Sequence, residues 1–344
     1  MIPLSTSVCQ EIQQETLPDK SWQRVQAQAV RSVEELLTAV DLSSGQIPGG
    51  ITASSEFPLR VPHGYVQRMQ AGDPADPLLL QVLPRQVEHH QLPGYDTDPV
   101  GDHAATVVPG LLQKYRGRVL LITTAACPVH CRYCFRRHYP YSDNQLGEEA
   151  LAQAITHIAA DDSIHEVILS GGDPLSLSND RLTAITRQLA SISHIQRLRI
   201  HTRTPIVLPE RIDRGLLDWL ASLPWPCIVV THSNHANEID DTVLRALLQL
   251  KQSGATLLNQ AVLLQGVNAT AAAQIALSER LFQGGVLPYY LHLLDKVQGA
   301  GHFEVCETTA RNIMEALRRH LPGFLVPRLV RETAGHPYKE PITA

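Results

Sequence analysis

Three cysteines spaced C-x3-C-x2-C, Cys127, Cys131 and Cys134, are the residues of this sequence best suited to chemistry. Thiolates are soft ligands that suit iron–sulfur clusters and zinc. Three of them on one loop can hold three irons of a [4Fe–4S] cube and leave the fourth iron open to chelate a substrate. A structural zinc site needs a fourth ligand to close its tetrahedron. His130 and His138 lie nearby, but neither sits at the usual spacing. Unrelated thiols are the third reading. Cys9, Cys227 and Cys306 stand alone and read as small packed apolar groups.

Other polar groups follow short apolar runs. Ser170, Gly171, Gly172 and Asp173 come directly after Val167–Leu169. Glycines let backbone approach a ligand closely, so the N–H and C=O groups of this turn could meet the amino and carboxylate groups of a bound amino acid. A plain tight turn would look the same. The segments from His232 to His235 and around Gln260 read, by themselves, as polar strand caps. Arg118, Arg136 and Arg137 read alone as surface cations, Asp295 and Glu332 as surface carboxylates, and Lys339 as a solvated tail lysine.

The elements that would position these groups have a regular rhythm. β-branched, apolar runs occur at Val119–Thr123, Val167–Leu169, Leu198–His201, Ile228–Thr231, Thr256–Val262 and Tyr289–Leu293. Helix-like segments lie between and after them, at Glu148–Ala160, Asp180–Ala190, Pro209–Leu223, Asp240–Gln252, Ala271–Phe282 and Cys306–His320. Six alternations at a pitch of roughly thirty residues predict βα units and a parallel sheet. Six units are too few for a closed eight-fold barrel, so the expected α/β fold is an open, partial (β/α)6 TIM-like barrel. Functional residues in such folds sit at the C-terminal ends of strands, which is where the polar groups above fall. Residues Ser21–Leu42 have helical spacing, and Pro and Gly interrupt the chain from Ile47 to Gly110. Residues 1–110 are therefore read as an N-terminal helical and irregular region, and 111–344 as the barrel.

Composition narrows the function class. The chain has 344 residues, 44% of them hydrophobic, enough for a sizeable core. The net charge of −5 argues against a general nucleic-acid or membrane-surface binder. Six cysteines in this length do not make a disulfide scaffold. No stretch reaches bilayer-spanning length, and Met1 to Glu15 lacks the basic start and apolar core of a secretory signal. A cytoplasmic protein is expected.

The cysteine spacing, with Tyr133 just before the third cysteine, resembles the radical S-adenosylmethionine (SAM) superfamily. The turn from Ser170 to Asp173 is similar to that superfamily's glycine-rich motif. Arg118 to Thr123, Cys127 to Arg137, His201 to Arg211, Pro288 to Asp295 and Arg331 to Pro341 together resemble lysine 2,3-aminomutases. The resemblance runs from about residue 95 to the C-terminus and more weakly upstream.

That resemblance implies three cofactors: a [4Fe–4S] cluster on Cys127, Cys131 and Cys134, SAM, and pyridoxal phosphate held covalently by Lys339. It implies that Ser170, Gly171, Gly172, Asp173, His232 and Gln260 approach SAM, and that Arg118 contacts the pyridoxal phosphate group. It implies that Arg136 grips the substrate carboxylate and that Asp295 and Glu332 bind the distal ammonium of lysine. Glu332 is one methylene longer than the aspartate of the catabolic enzymes, so pocket length is expected to differ, and Thr333 and His336 depart from the glycine-rich version of the lysine loop. The implied reaction turns (S)-α-lysine into (R)-β-lysine through a 5′-deoxyadenosyl radical. The chain stops five residues past Lys339. This resembles the branch that supplies β-lysine, through a partner ligase, to elongation factor P. A reductant such as flavodoxin is the expected electron donor. The alternatives are a free-standing metabolic lysine 2,3-aminomutase and a non-catalytic iron–sulfur electron carrier.

Overall fold

The computed structural model describes residues 21–52, 57–144 and 146–343; Cys9 lies outside them. Ten strands form one sheet whose spatial order is their order along the chain. They are β1 Thr106–Val108, β2 Leu111–Tyr115, β3 Arg118–Thr124, β4 Glu166–Gly171, β5 Arg197–Thr202, β6 Cys227–Thr231, β7 Thr256–Val262, β8 Leu287–His292, β9 Arg328–Arg331 and β10 Glu340–Pro341. Strands β3 to β9 pair in parallel. β1, β2 and β3 form an antiparallel lead-in, and β10 pairs antiparallel with β9. The parallel crossovers carry α1 Glu148–Ala160, α2 Asn179–Leu189, α3 Arg214–Ala221, α4 Asp241–Gln252, α5 Ala271–Gln283 and α6 Glu307–His320. This is a partial (β/α)6 barrel with β1 and β10 as its edges.

Local sequence accounts for these helices. Leu151, Ala154 and Ile158 of α1 fall on one face and are buried. Ser178, Asp213, Asp240 and Thr270 precede α2 to α5, and each side chain accepts from a first-turn N–H. Such caps satisfy donors that an α-helix leaves open. Strand β4 is buried from Glu166 through Ser170, as expected where a parallel strand is covered on both faces.

The structure departs from the sequence expectation in three places. The helical run Ser21–Leu42 is two helices, Trp22–Ala27 and Val33–Ala39. Between them Val30 is fully buried and pairs its N–H and C=O with Val61, at 2.8 and 3.0 Å. Strand-like pairing and burial there outweigh helical spacing. The run Pro209–Leu223 opens as a 3-10 turn, and α3 starts afresh at its Asp213 cap. Strands β1, β2, β9 and β10 add to the six expected. They are short and carry polar residues such as Lys114 and Arg331; only the turn glycines Gly110 and Gly117, both at φ +78°, mark the lead-in.

One apolar cluster runs from Trp22, Leu36 and Leu78 in the N-terminal region into the barrel strands and helices. Cys227 is buried in it, as a small apolar group should be. Cys306 is not: it is exposed before α6, with Sγ 3.1 Å from Thr309 Oγ1. Among the described residues no helix is long and apolar enough to cross a membrane.

Candidate active site

A cavity of about 330 Å³ opens at the C-terminal ends of the parallel strands. Every candidate site residue named from the sequence lines it: the three cysteines, Arg118, Arg136, the turn Ser170–Asp173, His232, Gln260, Asp295, Glu332 and Lys339. The ends of β3 to β9 converge there, which explains how residues more than two hundred positions apart share one wall.

The cysteine loop leaves β3 and is pinned along its length. His130 N–H donates to Arg60 O and Arg132 N–H to Gln81 O. The fully buried Arg132 side chain binds both oxygens of Glu88 and donates to Phe57 O. Arg137 is not surface charge as its type suggested. It donates to Glu88 at 2.9 Å and lies over the Phe57 ring. Both candidate zinc histidines are otherwise engaged, His130 with Pro58 O at 2.8 Å and His138 with Gln298 O at 3.3 Å. Among the described residues, no three His, Cys, Asp or Glu side chains converge on one point as ligands of a single ion. A cube asks for a different arrangement, one thiolate per iron around a shared space, and the three cysteines border such a space. Burial, then the nearby Asp173 charge, raises the Cys127 thiol well above its ordinary value, and burial pushes Cys134 up to about 11. Thiols of this kind are poor free nucleophiles and need a cationic group to ionise them, which suits ligation.

Glycine is required at Gly171 and Gly172 for a reason the sequence did not reveal. A Cβ on Gly172 would sit 2.5 Å from Ala126 O and 2.7 Å from Ala125 C. Gly171 has φ +117°, and its Cβ would sit 2.8 Å from Thr124 O. The N–H groups of Gly172 and Asp173 already donate to Thr124 O and Ala126 O, at 2.7 and 2.8 Å, and Gly171 C=O accepts from the Tyr141 hydroxyl. The turn therefore clasps the start of the cysteine loop rather than presenting free N–H groups. Asp173 is likewise occupied. Its carboxylate accepts from the Leu175, Arg203 and Thr204 N–H groups and from the Thr202 hydroxyl.

His232 and Gln260, from adjacent strands, touch at 2.8 Å. Burial lowers His232 to about 3, so the ring is neutral. His201 and His292 are also held neutral by burial. Their buried Nε2 atoms have no partner among the described residues, and both rings line the cavity. Unpaired buried nitrogens facing a cavity fit a site shaped for polar ligands.

Opposite lies a chain of charges. Arg136 Nε donates to Asp102 Oδ2 at 2.6 Å and Nη1 to Ser170 Oγ at 3.1 Å, which leaves Nη2 without a protein partner among the described residues. Lys114 sits 2.6 Å from Asp102 Oδ1 and 3.1 Å from Glu332 Oε1. Glu332 also pairs with Lys339. The β9–β10 register puts Arg331 opposite Glu340, so Glu332 and Lys339 face each other across the base of a hairpin. Burial would raise Glu332, but the Lys339 and Lys114 cations win and hold it at about 2. Asp295 differs. Its carboxylate has no hydrogen-bonding partner among the described residues, and burial and then the Glu332 charge push it up to about 7. Arg118 stacks its guanidinium 4.6 Å from the Tyr115 ring centre at the cavity wall.

Sequence reasoning missed Asp102, Lys114 and His292, and placed His201 at a strand end without giving it a role. The first two belong to no motif, and only the antiparallel lead-in carries Lys114 to Glu332. The histidines carried a usable signal, since each lies at the end of a parallel strand.

A family profile of the radical SAM superfamily matches residues 121–269, which contain the cysteine loop. The chain is 45% identical over 324 residues to the L-lysine 2,3-aminomutase of Escherichia coli strain K12, with 94% of each chain covered. It is 44% identical over 321 residues to that of Haemophilus influenzae, covering 93% of this chain and 95% of the relative. The enzyme of the same name from Clostridium subterminale is 34% identical, with 91% and 75% covered. A solved radical SAM methyltransferase from Sphaerobacter thermophilus aligns at 17% identity and a TM-score of 0.44, over 64% of this chain and 68% of its own. With nearly the whole of both chains aligned to its bacterial relatives, and a three-cysteine loop inside the matched superfamily segment, this chain belongs to the L-lysine 2,3-aminomutase family of the radical SAM superfamily.

Proposed function

We propose that the protein converts (S)-α-lysine into (R)-β-lysine and that the product is destined, through a partner ligase, for elongation factor P. Family membership supports the lysine 2,3-aminomutase activity. When bound, the cluster, SAM and pyridoxal phosphate supply a 5′-deoxyadenosyl radical and an electron-accepting ring, chemistry that no amino-acid side chain offers. The chain's own groups bind, orient and seclude. Cys127, Cys131 and Cys134 would hold the cluster through their thiolates, and the Ser170–Asp173 turn fixes where that loop begins. His232 and Gln260 approach the SAM side, Lys339 holds pyridoxal phosphate, and Arg118 takes its phosphate. Arg136 is held along one edge by Asp102 and Ser170, so its free terminal nitrogen can meet a carboxylate.

The observation that carries the substrate reading is Asp295. A half-buried carboxyl that no side-chain cation hydrogen-bonds among the described residues, beside a second carboxylate, is a costly arrangement. A lysine ammonium between Asp295 and Glu332 removes that cost, and a substrate lacking the charge leaves it in place.

The test is anaerobic reconstitution with iron, sulfide, pyridoxal phosphate, SAM and a reductant such as flavodoxin, followed by chiral analysis of the lysine product. (R)-β-lysine, transferred to elongation factor P only when the ligase is present, is the expected outcome. β-Lysine that no ligase transfers would assign the protein to free-standing metabolism. Absence of 5′-deoxyadenosine, or a single four-coordinate zinc in the purified protein, would refute the reading altogether.

A further inference from the structure

Arg203 follows directly on β5, and its side chain has no part in the site as described so far. It is buried, and its backbone N–H donates to Asp173 Oδ2 at 2.7 Å. Its guanidinium divides its contacts between two directions. Nη2 donates to Gln81 Oε1 at 2.8 Å and Glu238 Oε2 at 2.9 Å, both residues being fully buried. Nη1 faces the other way, 2.6 Å from Cys131 Sγ and 2.5 Å from the Tyr133 hydroxyl. Glu238 does not depend on this arginine alone, because its other oxygen accepts from Gln81 Nε2 and from the Asn234 and His235 N–H groups. Among the described residues, no side-chain donor reaches the sulfur of Cys127 or Cys134. Among the described residues Cys131 is the one of the three whose sulfur a side-chain cation hydrogen-bonds, whereas Arg136 and Arg137 act on Cys134 through their charge and, for Arg136, its backbone N–H.

We infer that Arg203 is a positioning residue for the cluster: its Nη1–H bond to Cys131 Sγ raises the cluster's reduction potential. A donor aimed at a ligating thiolate withdraws electron density from the sulfur. A fixed positive charge beside the cluster favours the form that has gained an electron. Glu238 and Gln81 keep the guanidinium from turning away, so the donor stays aligned in both redox states. The inference rests on Cys131 being a cluster ligand, as proposed above.

The experiment is a potentiometric titration of the reconstituted, pyridoxal-phosphate-loaded protein, followed by the EPR signal of the reduced cluster. Arg203→Met combined with Glu238→Gln removes both charges together, so neither is left buried alone. At a fixed poise the double variant should hold a reduced-to-oxidised ratio about tenfold lower, which is about 59 mV for a one-electron couple. Glu238→Gln alone keeps the donor and loses only the opposing charge, so its potential should stay level or rise. If the double variant folds poorly, Arg203→Lys supplies the same reading. It keeps a cation for Glu238 but lacks the planar fork that reaches sulfur and carboxylate together, and it too should be harder to reduce. An unchanged potential in the arginine variants at full iron content would overturn the inference, as would an equal drop in Glu238→Gln alone. Cys131→Ala separates the two levels of the argument. If that variant kept an intact cube, the ligand assignment itself would be wrong.

Discussion

The carboxyl of Asp295 makes lysine binding depend on pH in a direction that can be worked out. Its proton leaves at about 7, because burial and the Glu332 charge both oppose ionisation. Binding an ammonium requires the ionised form, so below neutrality a proton must be released on binding. At pH 6 only ~1 carboxyl in 11 is ionised, against ~10 in 11 at pH 8, so KM for lysine should rise about tenfold from pH 8 to pH 6. Lys339 and Lys114 hold the carboxyl down in part, so drawing Lys339 away toward a cofactor moves this profile to higher pH, never lower. Asp295→Asn removes the titrating group and one of the two carboxylates. Its cost of about 2–5 kcal/mol, by analogy with broken buried charge pairs, raises KM from ~30-fold to several thousandfold.

The unloaded protein should respond with the opposite sign. A carboxyl whose folded pKa lies above its unfolded value favours folding in acid. That contribution is lost as pH climbs through the ordinary carboxylate range toward 7. At pH 8 the wild-type site therefore holds a disfavoured charge, and Asp295→Asn should raise Tm there while weakening lysine binding. The assays are β-lysine formation at varied lysine and pH, and calorimetric unfolding without ligands. A wild-type KM that is flat from pH 6 to 8, or an Asn variant that keeps the slope, would refute the reasoning.

Three further outcomes are expected. Arg136→Lys keeps the charge but loses the fork that spans Asp102, Ser170 and a carboxylate, and the loss of a charged hydrogen bond, ~1.5–3 kcal/mol, should raise KM for lysine about 10- to 150-fold with a smaller effect on kcat. Lys339→Ala should abolish the visible absorbance of protein-bound pyridoxal phosphate, and a normal spectrum in that variant would reassign the lysine. Gly172→Ala drives a Cβ to 2.5 Å from Ala126 O; it should destabilise the protein by ~1–3 kcal/mol and reduce iron loading, both visible in thermal unfolding and iron assay.

The barrel was legible in the sequence because its signals are local. Apolar runs set the strands, helix-like segments fall between them, and the alternation of the two dictates a parallel sheet; the Asp213 cap that starts α3 after Pro209 emerged only in the structure. The same alternation located the chemistry, since residues after each run must share one end of the sheet. Side-chain partners carry no such local signal. Nothing near Lys114 in sequence announces Glu332, 218 residues away; the antiparallel lead-in on one side and β9 on the other bring them together. Arg137 and Arg203 look like ordinary cations until folding closes Glu88 and Glu238 over them. The glycines of the Ser170–Asp173 turn signalled close approach, but only the packed structure shows that the approaching atoms belong to the cysteine loop. Residue type and spacing determined which groups could do chemistry. Burial and long-range pairing, which depend on how strands far apart in sequence come to lie in one sheet, decided which charges are matched and left the Asp295 carboxylate without a hydrogen-bonding partner among the described residues.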